Sequence, residues 1–595
     1  MRSIAFLIVM SMLSVIQLVA QSPVRYSISF ANRAHHEAEI TVSFTNLDDR
    51  PLQLRMSRSS PGRYALHEFA KNVYNFRATG EGGRAVTVSR PDNHQWDVAR
   101  HGGAVSVTYT LYGDHADGTY AGIDRTHAHL NMPATFMYAE TLQERPIEIT
   151  FDARKDLNWK VATQLKHKED NTFSAPNLYY FMDSPTEISN FREREFKVDG
   201  QTIKFVLHDP DPESDFDTYW EKVKAIVLQE KAVFGELPTY DFGEYTFLAC
   251  YAPNVSGDGM EHRNSTILTD TETLAEGGME WNIGTVSHEF FHSWNVERIR
   301  PADLEPFQFD QANMSNSLWF AGGFTSYYTN LILERAGVIS AEDYVKGLNG
   351  TFNYVWNSPA LQYFNPIEMS NQAPFVDAAT SVDPVNRENM FISYYSYGSV
   401  LGLALDLSLR EKDLNLDDFM QLMWKRFGKT EVAYTVKDIE ATLGDYAGAA
   451  FAQDFFGKYI YKSEMPDYKN LFEQVGLQLN RATAKPYFGA SFSETSNGLE
   501  ISRNTFKGSP AYQADLDKGD VITSIDGIAM NSNDAFKDLL NSKNINDVLQ
   551  VTFERFGEVF TSQVRLTADP TYTISIAPDA KKSAIQIREK WLAKK

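Results

Sequence analysis

Residues 287–295 read Ser-His-Glu-Phe-Phe-His-Ser-Trp-Asn and contain an HExxH motif. Residues four apart share one face of a helix, so His288 and His292 can bind a single zinc ion. Glu289 then lies beside them, where it can accept a proton from an attacking water molecule. Because HExxH also occurs by chance in helices of non-enzymes, the surrounding sequence has to support the assignment to a metallopeptidase.

Two regions of different character flank this motif. Short β-rich runs separated by turns fill residues 22–207, as at 26–30, 39–44 and 105–111. This alternation predicts an N-terminal all-β domain with a β-sandwich fold. Residues 208–483 contain the strand-like run 245–251 and long helical patterns near 218–234, 281–295, 318–336, 399–410 and 416–427. We expect a mostly helical catalytic domain there.

A third unit is predicted at residues 484–570, where the sequence resembles a PDZ domain. The resemblance rests on Tyr487-Phe-Gly-Ala490, on Gly508-Ser-Pro510 and on the glycine-bounded run 519–527. It implies that the backbone amides of Tyr487, Phe488, Gly489 and Ala490 cradle the carboxylate of a peptide ligand that binds by strand addition. Residues 571–595 are expected to form a short helix or a frayed end. The chain as a whole is thus predicted to be a multidomain α+β protein.

Composition narrows the classes of partner and the cellular location. A chain of 595 residues is too long for one core, and its net charge of −22 argues against nucleic acid or an anionic membrane surface as partner. Residues 1–20 form a short apolar run after Arg2, which favours a secretory signal over a membrane anchor. No later run has the length of a spanning helix. We therefore expect an exported protein, periplasmic or extracellular, with no transmembrane segment in the mature chain.

The only cysteine is Cys250, so the chain has no internal disulfide. Its apolar neighbours predict an inert buried residue. His127 and His129 alternate, so they share one face of a strand. That pair has two interpretations: a second metal site, or residues that pack or line the substrate pocket.

Several motifs together resemble those of the glycyl aminopeptidase family, which are thermolysin-like zinc peptidases with an N-terminal β-domain and a PDZ domain. They are Ser60-Pro-Gly-Arg-Tyr64, Thr126-His-Ala-His-Leu-Asn131, Gly259-Met-Glu-His-Arg-Asn-Ser265, the HExxH run and Trp294-Asn-Val-Glu-Arg-Ile-Arg-Pro301. The resemblance implies a zinc aminopeptidase that releases small N-terminal residues, glycine or alanine, from peptides.

The resemblance also assigns roles to residues outside the HExxH motif. Glu261, with His262 in the same substrate-binding segment, matches a carboxylate that pairs with the free α-amino group of the substrate. The alternative is a glutamate in a solvated turn. Tyr395 matches a tyrosine that donates a hydrogen bond to the oxyanion of the transition state. A packed aromatic cluster with Tyr394 and Tyr397 is the alternative, and the family usually has lysine where Tyr397 stands.

One expected zinc ligand is missing. A catalytic zinc site has three protein ligands and an open position. In the family the third ligand is a glutamate, but residues 318–325 read Leu-Trp-Phe-Ala-Gly-Gly-Phe-Thr, with Gly322 at that position. Zinc binding is therefore predicted to be weak, unless another nearby acid supplies the ligand: Glu297, Asp303, Glu305 or Asp310. Two functions compete, a zinc aminopeptidase and a degenerate, catalytically weak or inactive peptidase that binds peptides, while a purely structural surface protein fits poorly.

Overall fold

The computed structural model describes residues 22–376, 383–481 and 484–595. The predicted signal segment 1–20 lies outside the described residues. Three units follow one another along the chain: a β-rich N-terminal domain, a largely helical middle domain and a small C-terminal β-domain. The predicted fold class is confirmed.

The N-terminal domain consists of three sheets around one hydrophobic core. A seven-stranded sheet has the order β12-β13-β10-β1-β2-β7-β4, beside a four-stranded sheet β11-β14-β9-β8 and a three-stranded sheet β3-β6-β5. The strands are β1 Val24–Ser29, β2 Glu37–Phe44, β3 Leu52–Arg55, β4 Val73–Gly80, β5 Thr87–Asp92, β6 Gln95–Ala99, β7 Val105–Tyr112, β8 Ala121–Ile123, β9 His127–Leu130, β10 Ile147–Asp152, β11 Lys160–Thr163, β12 Lys166–Glu169, β13 Thr172–Ala175 and β14 Thr186–Ser189, with the short helices α1 Met132–Thr135 and α2 Leu178–Met182.

The middle domain is built on a five-stranded sheet of order β15-β16-β17-β19-β18. Its strands are β15 Arg192–Val198, β16 Gln201–His208, β17 Glu244–Tyr251, β18 Asp258–His262 and β19 Ser265–Asp270. Strands β16, β17 and β19 run parallel, and the antiparallel β18 closes one end. Almost every residue of β17 is buried, as expected for a central strand covered on both faces.

The described part of the middle domain also contains twelve α-helices. They are α3 Glu213–Phe234, α4 Gly278–Phe291, α5 Leu318–Arg335, α6 Ala341–Trp356, α7 Pro366–Ser370, α8 Ala373–Val376, α9 Arg387–Met390, α10 Tyr394–Arg410, α11 Leu416–Met423, α12 Val436–Ala447, α13 Ala449–Phe455 and α14 Tyr468–Glu473. The long helices agree with the sequence patterns to within a few residues, except that α3 and α10 each begin five residues earlier than expected. No helix among the described residues is both long and apolar enough to cross a bilayer.

The C-terminal domain has its own small core. Its elements are β21 Pro486–Tyr487, β22 Phe492–Thr495, β23 Gly498–Ile501, α15 Pro510–Gln513, β24 Val521–Ile525, β25 Ile528–Ala529, α16 Asn533–Asn541, β26 Val548–Arg555, β27 Glu558–Arg565 and β28 Thr567–Ala568. The flanking elements β20 Leu477–Arg481, β29 Tyr572–Ile576 and α17 Lys582–Leu592 pack on the middle domain. The segment 487–490, predicted to bind a carboxylate, runs from the end of β21 towards β22. Phe488 enters the core of this domain, and Gly489 adopts a φ of 87°.

The structure differs from the sequence-based division at two boundaries. Strands β15 and β16 belong to the sheet of the middle domain, so the β-domain ends near residue 190 rather than at 207. The segment 571–595 contains the expected short helix, α17, but it is not a tail: β29 pairs with β20, and α17 buries Trp591 in the core of the middle domain. Strands β15 and β16 and the segment 571–595 are held in the middle domain by contacts with residues distant in sequence. Local sequence patterns do not reveal such contacts.

Helices α5 and α10 approach each other closely at two glycines. A Cβ atom on Gly398 would lie 1.9 Å from the carbonyl oxygen of Trp319 and 2.6 Å from the Cα of Gly323, and a Cβ on Gly323 would lie 2.4 Å from the Cα of Gly398. This contact fixes the position of the N-terminal turn of α10, which carries Tyr394 and Tyr395.

We expect Gly398→Ala to destabilise the middle domain by about 2 kcal/mol, because an added methyl group in a closely packed contact forces the backbones apart. The matched control is Gly347→Ala in α6, where nothing lies within 4 Å of the added atom and the helix gains stability. Calorimetric unfolding of the two variants checks this. Equal unfolding midpoints would contradict the role assigned to the glycine contact.

Candidate active site

The two motif histidines lie at the C-terminal end of α4, with their Nε2 atoms directed at each other. His288 Nε2 and His292 Nε2 are 3.2 Å apart. Two nitrogens that bind one zinc ion tetrahedrally at about 2.0–2.1 Å are separated by about 3.3 Å. The histidine pair therefore has the spacing that a shared zinc ion requires.

Hydrogen bonds on the other ring nitrogens hold this orientation. His292 Nδ1 donates to the backbone carbonyl of Asn295 at 2.5 Å, and His288 Nδ1 lies 3.0 Å from the hydroxyl of Thr329. The Thr329 hydroxyl donates to the carbonyl of Thr325, so it accepts from His288. Both Nε2 atoms thus keep their lone pairs for a metal, the arrangement that metal-binding histidines usually show. Sequence reasoning missed these threonines, although their spacing of four on α5 could have indicated them.

Glu289 points into the same space from the next position of α4. Its side chain is buried, and a Cβ on Gly259 of β18 would lie 2.3 Å from its Oε1, so the glycine makes room for the carboxyl group. Burial, with added repulsion from Glu261 and Asp258, raises the pKa of Glu289 well above its ordinary value. A cation placed beside the carboxyl group would lower that pKa again.

Glu261 reaches the histidines from β18. One carboxyl oxygen each of Glu261 and Glu289 and one ring nitrogen of His292 all lie within 4.8 Å of one another. Glu261 is 9% exposed, so the interpretation as a solvated turn residue does not fit. His262 is also buried, and its Nδ1 lies 2.9 Å from Asp183 Oδ1. Adjacent residues of a strand face opposite ways, so His262 points away from the carboxylate cluster.

The N-terminal domain forms one wall of this site. Gly62, with a φ of 78°, packs against β18 so closely that a Cβ would lie 2.0 Å from Met260 Sδ and 3.3 Å from Glu261 Oε2. Arg63 forms an ion pair with Asp258, and the amide of Gly118 donates to the same carboxylate at 2.9 Å. The segment 60–63, noted in the sequence, thus covers the strand that carries Glu261.

The position expected for the third zinc ligand is filled by an aromatic ring. Gly322 lies three residues before Thr325 on the face of α5 that contacts the histidines. A Cβ on Gly322 would lie 2.7 Å from Cε1 and 2.9 Å from Cδ1 of Tyr395. The Tyr395 ring in turn packs edge-on to His288, with centroids 5.9 Å apart. The two histidines therefore have the geometry to bind a zinc ion, whereas position 322 on α5 offers no ligand atom to it.

The four acids named as substitutes are placed elsewhere. Asp303 accepts from the amide of Asn316, and Glu305 pairs with Arg300. The negative charge of Asp310 acts on Tyr138 of the β-domain and helps to raise the pKa of its hydroxyl group. Glu297 lies nearer the site, but burial and the neighbouring Asp183 raise its pKa to about 8. Among the described residues, the carboxylates grouped with a motif histidine are Glu261 and Glu289.

Comparison with known families fits this architecture. Three family models match: the peptidase M61 N-terminal domain over residues 25–190, the M61 glycyl aminopeptidase over 281–401 and a PDZ domain over 486–566. The resemblance to the glycyl aminopeptidase family is confirmed. The matched domains of this M61-like chain are those of a peptidase, a hydrolase. No curated protein sequence matches the chain.

One solved structure shows the same overall fold, and a second is a more distant match. An aminopeptidase N family protein from Idiomarina loihiensis aligns with a TM-score of 0.85 at 24% identity, covering 96% of this chain and 100% of the other. An M1 zinc metallopeptidase from Deinococcus radiodurans aligns with a TM-score of 0.42 at 13% identity, covering 75% of this chain and 94% of the other. At such identities the first likeness is one of fold, and the second is too distant to say more.

Proposed function

We propose that the M61-like chain is an exported zinc aminopeptidase, periplasmic or extracellular, that releases N-terminal glycine or alanine from peptides and binds its zinc weakly. The observation that carries this proposal is the convergence of the two Nε2 atoms with the carboxyl groups of Glu261 and Glu289. The PDZ domain supports a second contact with a peptide, through the loop 487–490. The sequence of residues 1–20 supports export.

Each side chain has a distinct task in this proposal. Zinc between His288 and His292 would polarise the scissile carbonyl and acidify the attacking water. Glu289 accepts the proton of that water and passes it to the leaving amine. Glu261 pairs with the α-ammonium group of the substrate, a cation that needs a carboxylate partner once it leaves water. Tyr395, whose ring packs against His288, would stabilise the oxyanion through its hydroxyl group.

Glu261→Gln tests the exopeptidase part of the proposal. At saturating zinc we expect KM for glycine arylamide to rise about 10- to 100-fold, since a charge-assisted contact to the ammonium is lost. Glu276→Gln, an exposed glutamate of the same domain, is the control. An N-acetylated arylamide should not be cleaved by any of these proteins. An unchanged KM, or cleavage of the acetylated substrate, would contradict the role of Glu261.

A second candidate function is peptide binding without turnover, and the Tyr395 ring at Gly322 favours it. Calorimetric titration with a peptide that has a free N-terminal glycine separates the two functions. Binding that depends on Glu261, with no cleavage even at saturating zinc, would support the binding protein. Cleavage that requires added zinc supports the weak enzyme.

A further inference from the structure

A second group of metal-binding side chains lies at the interface of the β-domain and the middle domain. One ligand atom each of His127, His208 and Cys250 lies within 4.8 Å of the other two. His127 is on β9 of the N-terminal domain, whereas His208 and Cys250 are register partners on the adjacent parallel strands β16 and β17. We propose that His127, His208 and Cys250 bind one zinc ion that joins the two domains, separately from the HExxH motif.

The distances in this group are close to those of a zinc site. His127 Nε2 lies 4.0 Å from Cys250 Sγ, and the rings of His127 and His208 have centroids 4.8 Å apart. With zinc bonds of about 2.3 Å to sulfur and 2.0–2.1 Å to nitrogen, tetrahedral geometry separates these two atoms by about 3.6 Å. A contraction of a few tenths of an ångström brings the nitrogen and the sulfur to that spacing.

The orientation of His127 also suits a metal ligand. Its Nδ1 lies 3.0 Å from the hydroxyl of Thr126 and 3.4 Å from Asp124 Oδ1, while its Nε2 faces the thiol. A carboxylate on the far nitrogen of a ligating histidine fixes the tautomer and makes the ring more basic. His129, two residues along β9, uses both nitrogens elsewhere, on Glu187 Oε2 and the carbonyl of Asp117. The alternating histidines therefore have different tasks, and only His127 belongs to the new site.

Glu187 supplies negative charge next to the three ligands. It is 1% exposed, and its Oε1 has no hydrogen-bond partner among the described residues. The charge of a zinc ion would offset the negative charges of a Cys250 thiolate and the Glu187 carboxylate. A thiolate and two imidazoles are donors that prefer zinc to calcium or magnesium.

Solvent reaches the site from one side. His208 is partly exposed and lines a surface cavity of about 440 Å³ together with Trp159, Asn190 and Asp209. An ion can therefore enter after the two domains have packed. A zinc ion bound there would connect β9 of the N-terminal domain to the sheet of the middle domain. The N-terminal domain covers Glu261, and that sheet carries it.

Cobalt substitution of the mature full-length chain tests this proposal without relying on activity. We expect the Co²⁺ protein to show a thiolate-to-cobalt charge-transfer absorption that persists in the variant His288→Ala/His292→Ala and disappears in Cys250→Ser. Zinc affinity of the His288→Ala/His292→Ala chain should fall at least about 10- to 100-fold on adding Cys250→Ser or His208→Gln. His167→Gln, an exposed histidine of the β-domain, is the control and should leave it unchanged.

Zinc should also raise the unfolding midpoint of the His288→Ala/His292→Ala chain and leave that of its Cys250→Ser derivative unchanged. A cooperative unfolding transition in the derivative shows that the substituted chain folds. A cluster that holds only an ion pair between thiolate and imidazolium would give no cobalt absorption and no response to zinc, and the proposal would be wrong. Absorption that survives Cys250→Ser would overturn it as well. Neither result bears on the aminopeptidase proposal, which concerns the other histidine pair.

Discussion

The double variant Gly322→Glu/Tyr395→Ala is expected to bind zinc at the HExxH motif at least about 10- to 100-fold more tightly than the native chain. Loss of a residue that only hydrogen-bonds to a zinc ligand already lowers metal affinity by about 10- to 100-fold. Restoring a ligand itself should therefore raise the affinity by at least that factor. Gly322 shares a face of α5 with Thr325 and Thr329, which contact the two histidines, so a carboxylate there is directed at the same ion. The tyrosine has to be removed because its ring lies where the new Cβ would be.

Three control variants separate the effects of the ligand and the ring. Gly322→Glu alone should gain little affinity, since the added Cβ meets the Tyr395 ring at 2.7 Å. Tyr395→Ala alone should leave zinc affinity near the native value, and Gly322→Gln/Tyr395→Ala should gain little because an amide is a poor zinc ligand. Competition with a chromogenic chelator measures all four. If the double glutamate variant binds no better than the glutamine variant, position 322 does not face the metal.

The second large effect concerns Glu289. At saturating zinc we expect Glu289→Gln to lower kcat for alanine arylamide about 10²- to 10⁴-fold, the usual contribution of a general base. The carboxyl group has few other tasks, because its Oε2 has no hydrogen-bond partner among the described residues. Glu280→Gln, an exposed glutamate of the same helix, is the matched control.

Steady-state rates at several zinc concentrations separate catalysis by Glu289 from an effect on zinc binding. A loss of less than about tenfold at saturating zinc would assign the turnover to another site or to a contaminating peptidase. A loss that more zinc restores would make Glu289 a metal ligand rather than a base.

Local sequence patterns predicted the fold class and the shared helical face of the HExxH residues. The HExxH spacing placed His288, Glu289 and His292 on one helix, because a helical face depends only on residues within a turn. The role of Gly259 was not foreseen, since the carboxyl group that it accommodates comes from a helix some thirty residues away in sequence.

Contacts between distant segments account for what the sequence did not show. Strands β15 and β16 alternate like those of the β-domain, and only their pairing with β17 assigns them to the middle domain. The missing ligand at Gly322 was visible in the sequence, whereas the Tyr395 ring that fills its place comes from α10. Cys250 was predicted to be an inert core residue because its own strand is apolar. The two imidazoles beside it come from β9 and β16.

The claim that the HExxH site lacks a third ligand is tested most directly by comparing zinc retention of the native chain and the His288→Ala/His292→Ala variant. Both are dialysed against the same chelator at the same free zinc concentration, and bound zinc is counted per chain. The difference between the two counts reports the HExxH site alone, whatever zinc is bound elsewhere. We predict equal counts at low free zinc. One additional, tightly held zinc in the native chain would contradict this account.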